Sequence, residues 1–176
     1  MARSRTMQVE RTLSMATRFL EEIRSDIGRT ALDGMDTPPR LRAIHERQGH
    51  ATPEFRTLAI PMPDGAAGAS PEILSGAIAR YAASKQPDCL ILAFEAEMEA
   101  GPVLIAEARD RAGTRLFWMQ PYTVQATHVE WGEPLHDGWQ DPGGEEMILD
   151  AAFRRIPAAG DGDGARRPRT HARAAP

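Results

Sequence analysis

Between Cys89 and Tyr122, apolar residues fall on alternate positions in three consecutive runs, Cys89–Met98, Pro102–Asp110 and Thr114–Tyr122. A period of two marks strands with one face turned towards a core. The runs are separated by Glu99-Ala100-Gly101 and Arg111-Ala112-Gly113. In three-residue hairpin loops the last position is left-handed, which glycine adopts without strain. The pattern therefore predicts an antiparallel meander. It pairs Met98 with Pro102 and Ala96 with Leu104, then Asp110 with Thr114 and Ala106 with Trp118. One face would then hold Leu90, Leu92, Phe94, Ala96, Met98, Leu104, Ala106, Ala108, Leu116 and Trp118. A slip of one residue turns every side chain over, so the agreement argues for this register. The other face would mix Ile91, Val103, Ile105, Phe117 and Met119 with Glu95, Glu97, Glu107, Arg109 and Arg115.

Helical signals flank the meander. Val9, Leu13, Ala16, Leu20, Ile23 and Ile27 recur at spacings of four and three, which predicts an amphipathic helix over 6–28 with Gly28 as its stop. Packing against its own domain is the favoured use; a homodimer through this stripe is the alternative. Residues 33–53 read as irregular, with a short helical turn at 41–47. Residues 55–61 read as a strand confined to a sheet edge by Pro61 and Pro63. A loop follows at 64–68. Ser70 and Pro71 then open a helix that Gln86-Pro87-Asp88 ends, with Ile73, Leu74, Ala77, Ile78 and Tyr81 on its apolar face. Pro121 is expected to bend or interrupt the third strand, and 124–131 to supply a fourth. A loop over 132–144 carries Trp139, and a closing helix is expected over 145–156.

The expected fold is α+β: an antiparallel β-meander of three to five strands with helices packed on one face. A single domain spans 6–156, residues 1–5 are flexible, and the Arg/Gly/Pro/Ala-rich tail 157–176 is disordered. At 176 residues the chain can bury one real core. A net charge of -4 argues against a generic nucleic-acid or anionic-membrane binder. The longest apolar run is too short to cross a bilayer, and no signal peptide is read, so a cytoplasmic protein is expected. Lys85 is the only lysine; arginine enrichment of this kind is explained by a GC-rich genome. The single cysteine, Cys89, forms no internal disulfide and is read as a small buried hydrophobe.

Each chemical candidate has a plainer explanation. His45 and His50 are five apart, whereas a zinc-protease helix needs two histidines four apart, so that motif is rejected. His128, Glu130, Glu133, His136 and Asp137 are the densest set of possible metal ligands, with His128, His136 and Asp137 as the core of the set. They match no known ligand spacing, and polarity on the rim of a loop also explains them. Glu95, Glu97, Glu99 and Glu107 gather on one hairpin face, where cross-strand pairing with Arg109 and Arg115 accounts for most of them. Trp131 and Trp139, with Tyr122, form the preferred contact surface, because large amphipathic rings on loops favour binding. The tail arginines Arg166, Arg167, Arg169 and Arg173 offer weak, salt-sensitive attraction to nucleic acid. No catalytic residue and no cofactor site is read.

Leu90-Ile-Leu-Ala-Phe-Glu-Ala96 and Ala108-Arg-Asp-Arg-Ala-Gly113 resemble a group of small uncharacterised proteins of bacteria and their phages. In that group a hydrophobic strand ends in Glu-Ala and a charged hairpin follows. The aromatic that often follows Glu-Ala there is replaced here by Glu97. The resemblance covers about a third of the chain and implies an accessory or mobile-element protein, with no activity, cofactor or site. The expected function is a non-enzymatic accessory or protein-binding module with a protein partner or self-association. A metal-dependent hydrolase built on the His/Asp/Glu set and weak nucleic-acid binding through the tail are the alternatives.

Overall fold

The computed structural model describes residues 2–46, 52–62 and 70–154. Within them the chain is a mixed α+β fold around a six-stranded antiparallel sheet of order β2-β1-β3-β4-β5-β6. The strands are β1 (Arg40–His45), β2 (Glu54–Ala59), β3 (Cys89–Met98), β4 (Gly101–Asp110), β5 (Arg115–Val124) and β6 (Val129–Trp131). Three helices accompany them: α1 (Ala2–Thr30), α2 (Pro71–Lys85) and the single turn α3 (Asp150–Phe153).

Helices cover both faces of the sheet, not one. The α1 stripe of Ala16, Phe19, Leu20, Ile23 and Ile27 packs on Ile44, Cys89, Ile91, Leu104, Ala106 and Leu116. Leu74, Ile78 and Ala82 of α2 cover Leu41, Ala43, Leu90, Leu92 and Phe94 on the other side, joined by Met147 and Leu149. The four-three stripe of α1 is thus buried inside the domain from Ala16 to Ile27. That helix passes through Gly28 and ends beyond Thr30 in a 3-10 turn closed by Gly34 at φ 67°. Burial of Ile27 on the sheet outweighs the modest helix penalty of one glycine. In α2, Ser70 stands at the N-cap, but its hydroxyl donates to Glu72 Oε2 at 2.7 Å and makes no capping bond to the backbone.

The segment expected to be irregular with a helical turn is β1, an interior strand. Leu41, Arg42, Ala43 and Ile44 are all buried, and a strand covered on both faces loses the alternation that betrays strands in a sequence. The closing helix is also shorter than expected, because carboxylates capture the backbone of residues 147–149 before the helix begins. Pro121 does not interrupt β5; it marks where the strand changes partner, from β4 up to Val103↔Pro121 to β6 from Tyr122↔Trp131.

One hairpin register is corrected. The second hairpin pairs Ala106 with Trp118 and Ala108 with Leu116, as expected. The first pairs Met98 with Gly101 and Phe94 with Ile105, one residue away from expectation. Asp110 explains the difference. Its Oδ1 accepts the Thr114 N–H at 2.8 Å and holds the longer loop open. Met98 has no such side chain, so Gly101, at φ 117°, becomes the first residue of β4. The slip puts Phe94 under α2 and Trp118 under α1, on opposite faces. The expected acidic cluster therefore does not exist: Glu95 and Glu97 stay on the α1 side, while Glu107 lies with Arg109 and Arg115 on the α2 side. The sequence was blind to this because both faces of β3 are apolar, so either register yields an apolar face. The tail 157–176, the loop 64–68 and His50 lie outside the described residues.

Candidate interaction surface

Glu107 is 4% exposed, and its two oxygens accept the N–H groups of Ile148 and Leu149 at 3.1 and 2.9 Å. Burial pushes its pKa above the ordinary glutamate range; those two N–H groups oppose the shift. Beside it, Asp150 takes Arg115 Nε at 3.2 Å and Nη2 at 2.8 Å, and Arg109 Nε stands 3.2 Å away. Asp150 Oδ2 also accepts the Met147 N–H at 2.9 Å. These groups are consumed in pinning the closing segment onto β4 and β5. The arrangement is structural.

The residues expected to form a site are scattered. His128 is exposed in the β5–β6 turn, with Nδ1 3.3 Å from Thr127 Oγ1. His136 and Asp137 are exposed in a 3-10 turn at positive φ. Among the described residues, no three His, Cys, Asp or Glu side chains converge to hold a metal ion. The aromatic residues are brought to one face, but as packing. Trp139 packs tilted against Trp118 at 5.6 Å and Trp131 tilted against Tyr122 at 5.1 Å, all half-buried or buried beside α1. The Arg24 guanidinium caps Trp131 at 4.8 Å.

Tyr122 lies at the floor of a cleft of about 430 Å³ shared with Asp36, Thr37, Met62, Glu95 and Glu97. Its hydroxyl donates to Glu95 Oε1, and Glu95 Oε2 accepts the Thr37 N–H at 3.0 Å. Burial, then the Glu95 carboxylate, raise the phenol's pKa, so the ring stays neutral. Cys89 is buried with its thiol pKa raised, first by desolvation and then by Asp110, which is the opposite of what a nucleophile needs.

The least satisfied element is β2. Among the described residues it pairs with no strand other than β1, and Glu54, Phe55, Arg56, Thr57 and Ala59 are exposed. Ile60 donates its N–H to the Pro39 carbonyl at 2.8 Å, in line with the register Arg40↔Ala59 and Leu41↔Leu58. In an antiparallel ladder both polar groups of a residue point to the same side, and the side alternates along the strand. Residues 54, 56 and 58 therefore face β1. Phe55, Thr57 and Ala59 aim their N–H and C=O groups away from the sheet.

This edge is nonetheless held in shape. Arg42, 8% exposed, lies between two rings, 4.5 Å from Phe19 of α1 and 4.5 Å from Phe55. Its Nη1 and Nη2 reach Glu22 at 3.2 and 2.6 Å, and its Nε donates to Thr57 Oγ1 at 2.9 Å. One guanidinium thus ties α1, β1 and β2 together on the α1 face. Phe55, Thr57 and Arg42 were not singled out from the sequence. The signal read from the sequence was the prolines after the strand, Pro61 and Pro63; Pro53, which stands just before it, was not used.

No family model matches the chain, and no curated protein or solved structure matches it at a significant level. Among the described residues no helix is long and apolar enough to cross a membrane.

Proposed function

We propose that the protein is a non-enzymatic binding module that adds a strand of another polypeptide to the outer edge of β2. The observation that supports this reading is a six-residue edge strand whose outward N–H and C=O groups lie in a row beside Phe55, a ring that is 59% exposed. Edge strands recruit other strands unless they are shortened, bulged, covered or blocked by charge and proline; β2 is six residues long and pairs evenly with β1, and its prolines stand only at its ends. The Arg42 clasp supports it further, since an edge already ordered loses less entropy on pairing. An accessory role, as the resemblance of residues 90–96 implies, belongs to the same proposal.

Site-specific photo-crosslinking in the native cells tests it. A photoreactive phenylalanine analogue at Thr57 is expected to trap a polypeptide, while the same residue at exposed Arg80 on α2 does not. No trapping at position 57, or equal trapping at both, would overturn the assignment.

A further inference from the structure

Resting on that reading, we infer that the strand added to β2 is the β2 of a second copy, paired antiparallel about a two-fold axis through Thr57. Pairing two copies of one antiparallel strand requires an axis perpendicular to the sheet, with a single residue opposite its own copy. Any of the six residues of β2 could stand there; an axis at either end leaves most of the strand unpaired, and the four interior positions differ in their pairings. With Phe55 on the axis, Thr57 faces Pro53, which has no N–H to give. With Arg56 on the axis, two guanidinium groups stand directly opposite each other. With Leu58 on the axis, Phe55 faces Pro61 and again loses a bond.

Only the Thr57 axis keeps every outward bond. Thr57 exchanges both bonds with Thr57, and Phe55 exchanges both with Ala59 in each direction. The prolines fall opposite one another at the two ends, because Pro53 and Pro61 lie equally far from Thr57. A strand built for an unrelated partner has no need of that symmetry. The side chains agree as well. On the α1 face the exposed Phe55 ring meets the small Ala59, and on the α2 face the stem of Arg56 lies over Leu58. The sheets of the two copies then run on as one, with each α1 on the same side.

A pair of six-residue strands buries less than the roughly 1,600 Å² of a standard stable interface. The dimer is therefore expected to dissociate in the micromolar range, about 1–100 µM. Sedimentation equilibrium of the full chain across that range should show a monomer–dimer equilibrium. Amides of Phe55, Thr57 and Ala59 should become protected as concentration rises. Ala59→Pro, which removes an outward N–H that the ladder to β1 does not use and leaves the Arg42 clasp intact, should weaken the dimer at least about tenfold without changing the monomer's circular dichroism. Under mild oxidation Thr57→Cys should form a cross-linked dimer faster than Phe55→Cys, Arg56→Cys or Leu58→Cys; Cys89 is buried and does not interfere.

A wild-type chain that stays monomeric at about 1 mM, or fastest cross-linking at another position, would overturn the inference. If photo-crosslinking at Thr57 then traps a different protein, the second copy is wrong while the β2 edge stands. If it traps nothing, both fall.

Discussion

The two edges of the sheet are finished in opposite ways. At the β5 edge the chain doubles back: β6 pairs with Tyr122–Val124, and Gln140 forms an antiparallel bridge with Phe117. Trp139 then lies on Trp118, and residues 147–150 are drawn over the sheet by Glu107, Arg109 and Arg115. At the other edge, β2 is six residues long, exposed on both faces, and held by its ladder to β1 and one arginine from that strand. Some twenty-five residues cover one edge, whereas among the described residues the outer side of β2 pairs with no strand; the contact proposed above rests on this difference. Mutations at the closed edge should lower stability; mutations at the open edge should alter association.

Glu107→Ala should have the largest effect. It strips acceptors from two backbone N–H groups, one of them on fully buried Leu149, at about 3 kcal/mol measured by urea unfolding. The same residue sets a pH dependence. Its folded pKa is raised above the ordinary value of 4.5, so the native state binds the proton more tightly than the unfolded chain does. Glu107's titration therefore favours folding most fully below about pH 4.5, and that share is lost as pH rises through the raised folded value. Relative to Glu107→Gln, which cannot titrate, wild-type stability should decline on passing upward through that window. A rise instead would mean that the N–H groups, not burial, dominate the site.

Trp139→Ala should come next, at about 2 kcal/mol, because the ring is half-buried and removes one partner of the Trp118 stack. Amides of β6 should lose protection in the same variant while those of β2 stay unchanged. Loss of protection at both edges would show that the closed edge is not an independent unit.

How much of this was readable follows from which faces each element buries. The amphipathic helix was legible because it has one polar face, and the edge position of β2 because Pro61 and Pro63 cannot donate to a ladder on both sides. The second hairpin was legible because Asp110 and Gly113 fix its loop. β1 and the first hairpin were not, since strands apolar on both faces carry no alternation and accept either register. The partners of the expected aromatic surface were not legible either: Trp131 packs against Tyr122 across β5 and β6, and Trp139 against Trp118, contacts set by a short β6 and by the Phe117–Gln140 bridge. Arg42 was invisible because a charge inside a buried strand makes sense only once Glu22, Phe19 and Phe55 are seen around it.

Arg42→Lys gives the smallest effect on stability and the sharpest view of the contrast. An ammonium keeps the charge but cannot span both Glu22 oxygens, stack flat between two rings and still reach Thr57. The expected loss is about 1 kcal/mol in global unfolding, since the Phe19 side of α1 stays packed. Locally the change should be greater. The β2 amides that bond to β1, those of Arg56 and Leu58, should exchange about tenfold faster, while β6 amides are unaffected. Because the clasp orders the outer groups before pairing, association through β2 should weaken even though no residue at the outer edge has been altered. Unchanged exchange in β2 would mean that the backbone ladder to β1 suffices and that the clasp only shields Phe19.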